Sequence, residues 1–242
     1  MKKTTLTIFV LFCGIMVNAQ GWWNTKTIKG NGEITTQSRS TTGYNKIDIG
    51  GSFDVMLIDG KEGEITIKGE ENIIPYIITE VNHETLTVKS KENTNIKPTK
   101  KIVVTIPFKE IKALSLGGSS NVEVKKLIKG KVMSFAIGGS GSITAVVETT
   151  MVRTAIGGSG NINLSGKTDE LKSSVAGSGN IKAYNLEADA VKASVAGSGD
   201  IKISVKNKIK ASLVGSGNIY YKGNPTNIAV NSVGSGDIID KN

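Results

Sequence analysis

A small-residue hook of the form Gly-Ser-Gly-Asn-Ile recurs seven times in the second half of the chain, beginning at Gly118, Gly139, Gly158, Gly177, Gly197, Gly215 and Gly234. The intervals are 21, 19, 19, 20, 18 and 19 residues. A period that short cannot enclose a core of its own, so each copy is expected to form one coil that buries its apolar face against its neighbours. Leu116, Gly118, Ser120, Val122 and Val124 share one parity, and the register returns as Val175, Gly177, Gly179, Ile181 and Ala183. Alternation with a period of two that runs through the glycines predicts a strand, not a helix. Composition agrees: 29 Gly and only four Pro, with abundant Ser, Thr, Ile and Val, suit strands joined by tight corners.

The opposite parity carries two polar columns. Ser119, Ser140, Ser159, Ser178, Ser198, Ser216 and Ser235 form one, and Asn121, Ser142, Asn161, Asn180, Asp200, Asn218 and Asp237 the other. With apolar residues inward, both columns run along the outside, and seven coils at ~4.8 Å extend them over roughly 29 Å. Two readings follow for the Asn/Asp column. One is a corner-stabilising ladder of side chains that bond to one another. The other is a periodic hydroxyl and amide surface matched to a repetitive ligand. For the second, the candidate binding stripe is Ser159, Asn161, Ser178, Asn180, Ser198, Asp200, Ser216, Asn218, Ser235 and Asp237.

Upstream, Ile47, Ile49, Gly51, Phe53, Val55 and Leu57 alternate with polar neighbours, and Phe53 takes the place of a second hook glycine, which predicts an eighth copy. Further strands are expected at Glu64–Lys68, Thr85–Val88 and Ile102–Ile106, the last ending at Pro107. Glu71–Glu80 is expected to form one short helix with Pro75 in its first turn. Residues 20–42 are polar, without sustained periodicity, and read as a flexible tether. Trp22 and Trp23 lie within it, suited to docking on the body or to a partner contact.

Met1-Lys2-Lys3, an apolar run from Leu6 to Val17 and Val17-Asn18-Ala19 have the layout of an export signal cleaved after Ala19. Cys13 is a poorer candidate for lipidation, because bulky Phe12 precedes it and it falls inside the apolar run. That run is shorter than the ~20 residues a bilayer span needs. The expected location is periplasmic, outer-membrane-associated or secreted. Cleavage leaves no cysteine, so stability rests on backbone ladders and packing. It also lowers the formal charge from +9 to +7 by removing Lys2 and Lys3. Lys182, Lys192, Lys202, Lys210 and Lys222 read as a solvated face, or as attraction to anionic glycans or lipid headgroups. An exported chain without aromatics interleaved among its basic residues is not expected to bind nucleic acid.

Chemistry is sparse. Asp200 and Asp237 share a column two coils apart, roughly 9 to 10 Å, without the cleft that glycoside hydrolysis requires. His83 is the only histidine and reads as a loop residue. The calcium β-roll repeats every nine residues with aspartate in each copy, whereas five of these seven copies carry Asn or Ser. No catalytic residue, cofactor or metal site is expected.

The hooks, with the entry segment Tyr44-Asn45-Lys46-Ile47-Asp48-Ile49-Gly50-Gly51-Ser52-Phe53-Asp54-Val55, resemble the putative auto-transporter adhesin family with a head GIN domain, abundant in Bacteroidetes-type bacteria. The resemblance spans about residues 43–242, with 43–113 as an entry or capping region and 114–242 as the repeats. It implies an all-β, right-handed parallel β-helix-like solenoid and a cell-envelope or secreted location. It supplies no site residues. The favoured function is a non-enzymatic, exported binding or adhesion module for polysaccharide or another envelope component. The alternatives are a carbohydrate-active β-helix enzyme, of the lyase or hydrolase type, and a purely structural envelope protein. With no capping element after Ile238, self-association through the C-terminal coil is also expected.

Overall fold

The structure, a computed structural model, describes residues 25–242. The export signal, Cys13, Trp22 and Trp23 lie outside the described residues. The chain forms nineteen strands among those residues, seventeen of them in one largely parallel sheet. Strands β13 (Ser142–Ile156), β14 (Asn161–Gly177), β15 (Asn180–Gly197) and β16 (Ile201–Gly215) each begin just after one hook and end at the next. Each pairs in parallel with the one before and after it. Stacked coils therefore form a β-solenoid, because backbone N–H and C=O groups along each coil pair with the coil above or below.

The interior is a set of aliphatic rows. Val104, Val55, Val122, Ile143, Ile162, Ile181, Ile201 and Ile219 lie in consecutive register and are all buried. A second row runs Val88, Ile49, Leu116, Ile137, Ile156, Val175, Val195 and Leu213. A third narrows along the axis: Phe135, Thr154, Ser173, Ala193 and Ala211 are stacked and buried. The two hydroxyls in this row satisfy each other, Thr154 Oγ1 lying 2.8 Å from Ser173 Oγ, which removes the penalty of burying them.

Coils of 18, 20 and 21 residues coexist because the strand segments beyond the hooks absorb the difference. The pairing of β14 with β15 slips between Asn163 and Ser165, and that of β15 with β16 slips between Ala183 and Ala190. The hook register is untouched, Gly177, Gly197, Gly215 and Gly234 remaining directly stacked.

The first full coil consists of β10 (Ala113–Leu116), its hook and β11 (Asn121–Val124). Beneath it lie β3 (Lys46–Gly50) and β4 (Asp54–Asp59), joined by the predicted eighth hook, with Phe53 buried where later coils carry glycine. Beneath those lie β7 (Thr85–Ser90) and β9 (Val103–Phe108). Strand β9 continues past Pro107, whose carbonyl accepts the Tyr44 hydroxyl at 2.6 Å. The parallel stack then ends in antiparallel strands: β6 (Ile77–Asn82) on β7, β5 (Glu64–Glu70) on β9, and β2 (Ile34–Ser40) on β5. The opposite end has no such closure among the described residues. There β18 (Asn227–Gly234) pairs with β16 and is exposed along its whole length.

Two expectations are corrected. The helix over Glu71–Glu80 is only a 3-10 turn, Ile74–Tyr76, and from Ile77 the chain is strand. Ile77, Ile78, Thr79 and Val81 are β-branched, and β7 offers them a ladder partner, which outweighs a marginal helical preference. The described part of the 20–42 tether is not free either. It contributes β1 (Lys26–Lys29), which pairs with β8 (Thr94–Lys97), and β2. Strand β2 lacks apolar alternation because it is an almost wholly exposed edge, held by its backbone and by two charged anchors. Arg39 donates to the carbonyls of Ile77 and Ile74, the latter at 2.9 Å, which fastens β2 to the 3-10 turn.

Glu70 is the second anchor, with no exposed surface. Its carboxylate accepts from Gly32 N at 2.7 Å, Thr99 N at 2.8 Å and Thr99 Oγ1 at 2.7 Å. Burial alone would raise its pKa, but the hydrogen bonds from Thr99, Gly32 and Lys100 hold it below the ordinary glutamate value. Gly30 is required beside it, since a Cβ there would lie 2.1 Å from a carboxylate oxygen.

Because the folded-state pKa of Glu70 is depressed, its contribution to stability is full above the unfolded value of about 4.3 and is lost as pH falls through the folded value. Glu70→Gln is expected to lower Tm at pH 7, with the gap to the parent protein closing as the pH is taken below 4.3 in a thermal melt series. A constant gap across that range would contradict this. The hook glycines make a second prediction. A Cβ at Gly179 would lie 2.5 Å from Gly160 O and 2.6 Å from Ile156 Cγ2, whereas nothing lies within 4 Å of one at Gly130. Gly179→Ala is expected to cost about 3 kcal/mol in urea unfolding, and Gly130→Ala under about 0.5 kcal/mol. Equal costs would be inconsistent with close packing at the hooks.

Candidate functional site

The ten candidate residues all lie along the hook corner, but the structure divides them into two kinds. Ser159, Ser178, Ser198, Ser216 and Ser235 are exposed, and none of their hydroxyls bonds to another described group of the protein. Their backbone amides are fixed: Ser178 N donates to Gly158 O at 3.1 Å, Ser198 N to Gly177 O at 2.9 Å and Ser216 N to Gly197 O at 2.9 Å. The result is a rigid line of outward hydroxyls, one per coil.

The Asn/Asp column is mostly half-buried and spends its polar atoms on its own kind. Asn121 Nδ2 donates to Asp54 Oδ1 at 3.3 Å, Ser142 Oγ to Asn121 Oδ1 at 2.9 Å, and Asn180 Nδ2 to Asn161 Oδ1 at 3.2 Å. From Asn180 onward the side-chain oxygen caps a backbone amide of the next coil. Asp200 N donates to Asn180 Oδ1 at 3.2 Å, Asn218 N to Asp200 Oδ1 at 2.9 Å, and Asp237 N to Asn218 Oδ1 at 3.1 Å. These contacts are those of the corner-stabilising ladder. Asp200 and Asp237, the carboxylates considered for catalysis, are separated by Asn218 and belong to this ladder.

The change of bonding follows a change of backbone. Gly177, Gly197, Gly215 and Gly234 have φ between +122 and +138, a left-handed conformation that a side chain would strain, whereas Gly118, Gly139 and Gly158 are not left-handed. Its sequence signal is local: the first three hooks open on Gly-Gly, and the later four on Ala-Gly or Val-Gly. In the later hooks one carbonyl receives two amides, Gly158 O accepting from both Ser178 N and Gly179 N.

The lysines read as a scattered solvated face are sorted by the coil register into two groups. Arg153, Lys172, Lys192 and Lys210 stack in one column on the strand that leads into the hooks. Lys182, Lys202 and Tyr220 stack in another, two residues beyond the Asn/Asp ladder and directly beside it. Lys222 Nζ lies 4.8 Å from the centre of the Tyr184 ring, and Lys202 Nζ and Lys241 Nζ each 5.5 Å from that of Tyr220. Burial, and then the neighbouring Tyr220, raise the Tyr184 pKa above its ordinary value, so the Tyr184 phenol stays neutral at physiological pH. The spacing of 20 between Lys182 and Lys202 and 18 between Lys202 and Tyr220 was the available signal, since these are coil intervals. Among the described residues, none of Lys182, Lys202, Lys222 and Lys241 forms an ion pair with a carboxylate.

His83 sits with Glu84 in the two-residue turn between β6 and β7, both residues left-handed at φ 46 and 60. No group of three or more His, Cys, Asp or Glu residues placed to hold a metal ion occurs among the described residues. No helix among them is long and apolar enough to cross a membrane.

The architecture has solved relatives. An adhesin, called putative, from Bacteroides fragilis is 27% identical, with a TM-score of 0.84 over 88% of this chain and 100% of the other. A putative lipid binding protein from Parabacteroides distasonis is 28% identical, with a TM-score of 0.76 over 90% of this chain and 100% of the other. A putative adhesin from Parabacteroides merdae, at 24% identity and a TM-score of 0.70 over 90% of this chain and 100% of the other, shares the fold. No curated protein matches the chain. The family model described as "Putative auto-transporter adhesin, head GIN domain" matches residues 43–225, so the chain belongs to that family.

Proposed function

We propose that this protein is an exported, non-enzymatic adhesion module that holds a polysaccharide or another envelope component along its hook corner. The observation that carries the reading is the line of exposed serine hydroxyls, one per coil at ~4.8 Å, on a backbone fixed by inter-coil hydrogen bonds. A ligand with a repeating array of hydroxyls can meet such a line at many positions without the protein reorganising, which keeps the entropic cost of binding low. The Asn/Asp column contributes by holding the line straight. The Asp200 carboxylate is engaged in that ladder and Asn218 separates it from Asp237, an arrangement poorly placed for acid-base work, which favours this reading over a hydrolase or lyase. Family membership agrees with it. Pairing of two copies through the exposed β18, where Ile228, Val230 and Val233 are each more than half exposed, belongs to the same proposal.

The test is retention of envelope polysaccharide fractions by the immobilised protein, compared with a Ser159→Ala/Ser178→Ala/Ser216→Ala variant of unchanged Tm. Each hydroxyl removed is expected to cost about 1 kcal/mol, roughly fivefold in affinity. No retention above background by the parent protein, or equal retention by the variant, would contradict the reading. Light scattering of the same samples should show dimer growing with concentration, and monomer throughout would remove the β18 pairing.

A further inference from the structure

The columns beside the serine line carry an observation that specifies the ligand. On the strand segment that leaves each hook, outward residues alternate with the buried row, so the position two residues past the ladder projects on the same side as the ladder. Those positions hold Asn163, Lys182, Lys202 and Tyr220 in successive coils. Slightly further on, Tyr184 and Lys222 come together across two coils, each following a member of the stacked row Ala183, Ile203 and Tyr221. A depression of about 540 Å³ opens between these side chains, with Thr144, Asn163 and Ser165 along one flank and Lys182, Lys202 and Lys222 along the other.

Its chemistry is selective. Three lysines line it without a carboxylate partner, so their charge is available to a ligand. The nearest acid in the ladder, Asp200, is occupied by the two N–H donors of Asn218 at 2.9 and 3.4 Å. The half-exposed Tyr184 ring in its lining, with half-exposed Tyr220 stacked on Lys202 beside it, supplies flat apolar surface with a polar rim. Flat aromatic surface suits the C–H faces of a pyranose, and cations at coil spacing suit an anion on successive sugars.

We propose that this recess binds a stretch of acidic polysaccharide, its carboxylate or sulfate groups on Lys182, Lys202 and Lys222 and a sugar face on Tyr184 or Tyr220. The proposal rests on the adhesion reading and narrows it, placing an anionic glycan beside the serine line. Binding must weaken with salt, because the charges are solvent-facing and the screening length falls from ~10 Å at 0.1 M to ~3 Å at 1 M.

The experiment is titration of the full chain with polygalacturonate, with dextran as the uncharged polymer. Tyr184→Leu/Tyr220→Leu keeps the apolar bulk and removes the rings, Lys202→Gln/Lys222→Gln removes two charges from the recess, and Lys192→Gln/Lys210→Gln removes two from the other column. The first two variants are expected to lose about tenfold or more in affinity for polygalacturonate, and the third to stay within about twofold, with binding to dextran absent throughout. An equal loss in the two lysine variants would overturn the site in favour of diffuse attraction. Tighter binding of phosphatidylglycerol vesicles or of single-stranded DNA, with the same variant pattern, would overturn the ligand class. Envelope retention unaffected by the recess variants would defeat this site and leave the adhesion reading standing. Polygalacturonate bound at the recess without any envelope retention would do the reverse.

Discussion

Close approach of backbone to backbone at the hook corner is the constraint from which the rest follows. A coil can turn sharply there and still sit in register on its neighbour only if the inward positions carry no side chain. At Gly217 an added Cβ would lie 2.0 Å from Gly199 O, and at Gly236 1.8 Å from Gly217 O. The room left by each second glycine is taken by the aliphatic side chain that precedes the previous hook, as Ile137 does against Gly160 and Val175 against Gly199. Glycine at these positions therefore serves the tertiary stack as much as the local turn. Ser120 departs from this rule: its hydroxyl accepts from Phe53 N at 2.9 Å and donates to Gly51 O at 3.1 Å, joining the first full coil to the entry coil beneath.

Once register is fixed at that corner, every other feature becomes a column. Aliphatic residues stack inside, small residues and hydroxyls outside, and charged residues in lines that a linear reading spreads over the sequence. Coil length can vary only away from the hooks, which is where the bulges at Asn163–Ser165 and Ala183–Ala190 lie. Tyr184 and Lys222 follow residues of one stacked row, so the recess is itself a product of the stacking register.

Much of this was legible in the sequence because the signal was periodic. The row through Ile162, Ile181, Ile201 and Ile219, the outward serines and the entry copy at Phe53 all follow from parity and interval. Features that depend on single, unrepeated contacts were not legible. Strand β2 is polar on both sides and is held by Arg39 and Glu70, residues whose partners lie tens of positions away. The segment after Pro75 has apolar spacing compatible with a helix until β7 is known to lie beside it. The division of the lysines into two columns needs the pairing register, since a shift of one residue sends a side chain to the other face. That the ten stripe residues stack along one corner follows from the interval. The engagement of its Asn and Asp members with one another depends on side-chain geometry that spacing does not encode.

The functional reading depends on this rigidity, because a line of hydroxyls and a recess of lysines and tyrosines are assembled from residues about nineteen positions apart. The claim tested most directly is therefore the register. In a Cys13→Ser background, Ser174→Cys paired with Ser194→Cys places two cysteines on directly stacked positions, within the 4.4 to 6.8 Å Cα separation, roughly, that a disulfide spans. Ser174→Cys with Ala196→Cys is displaced by two residues along the strand. The account predicts rapid, near-complete intramolecular crosslinking of the first pair under mild oxidation and little of the second. Crosslinking of the displaced pair in preference to the stacked pair would contradict it.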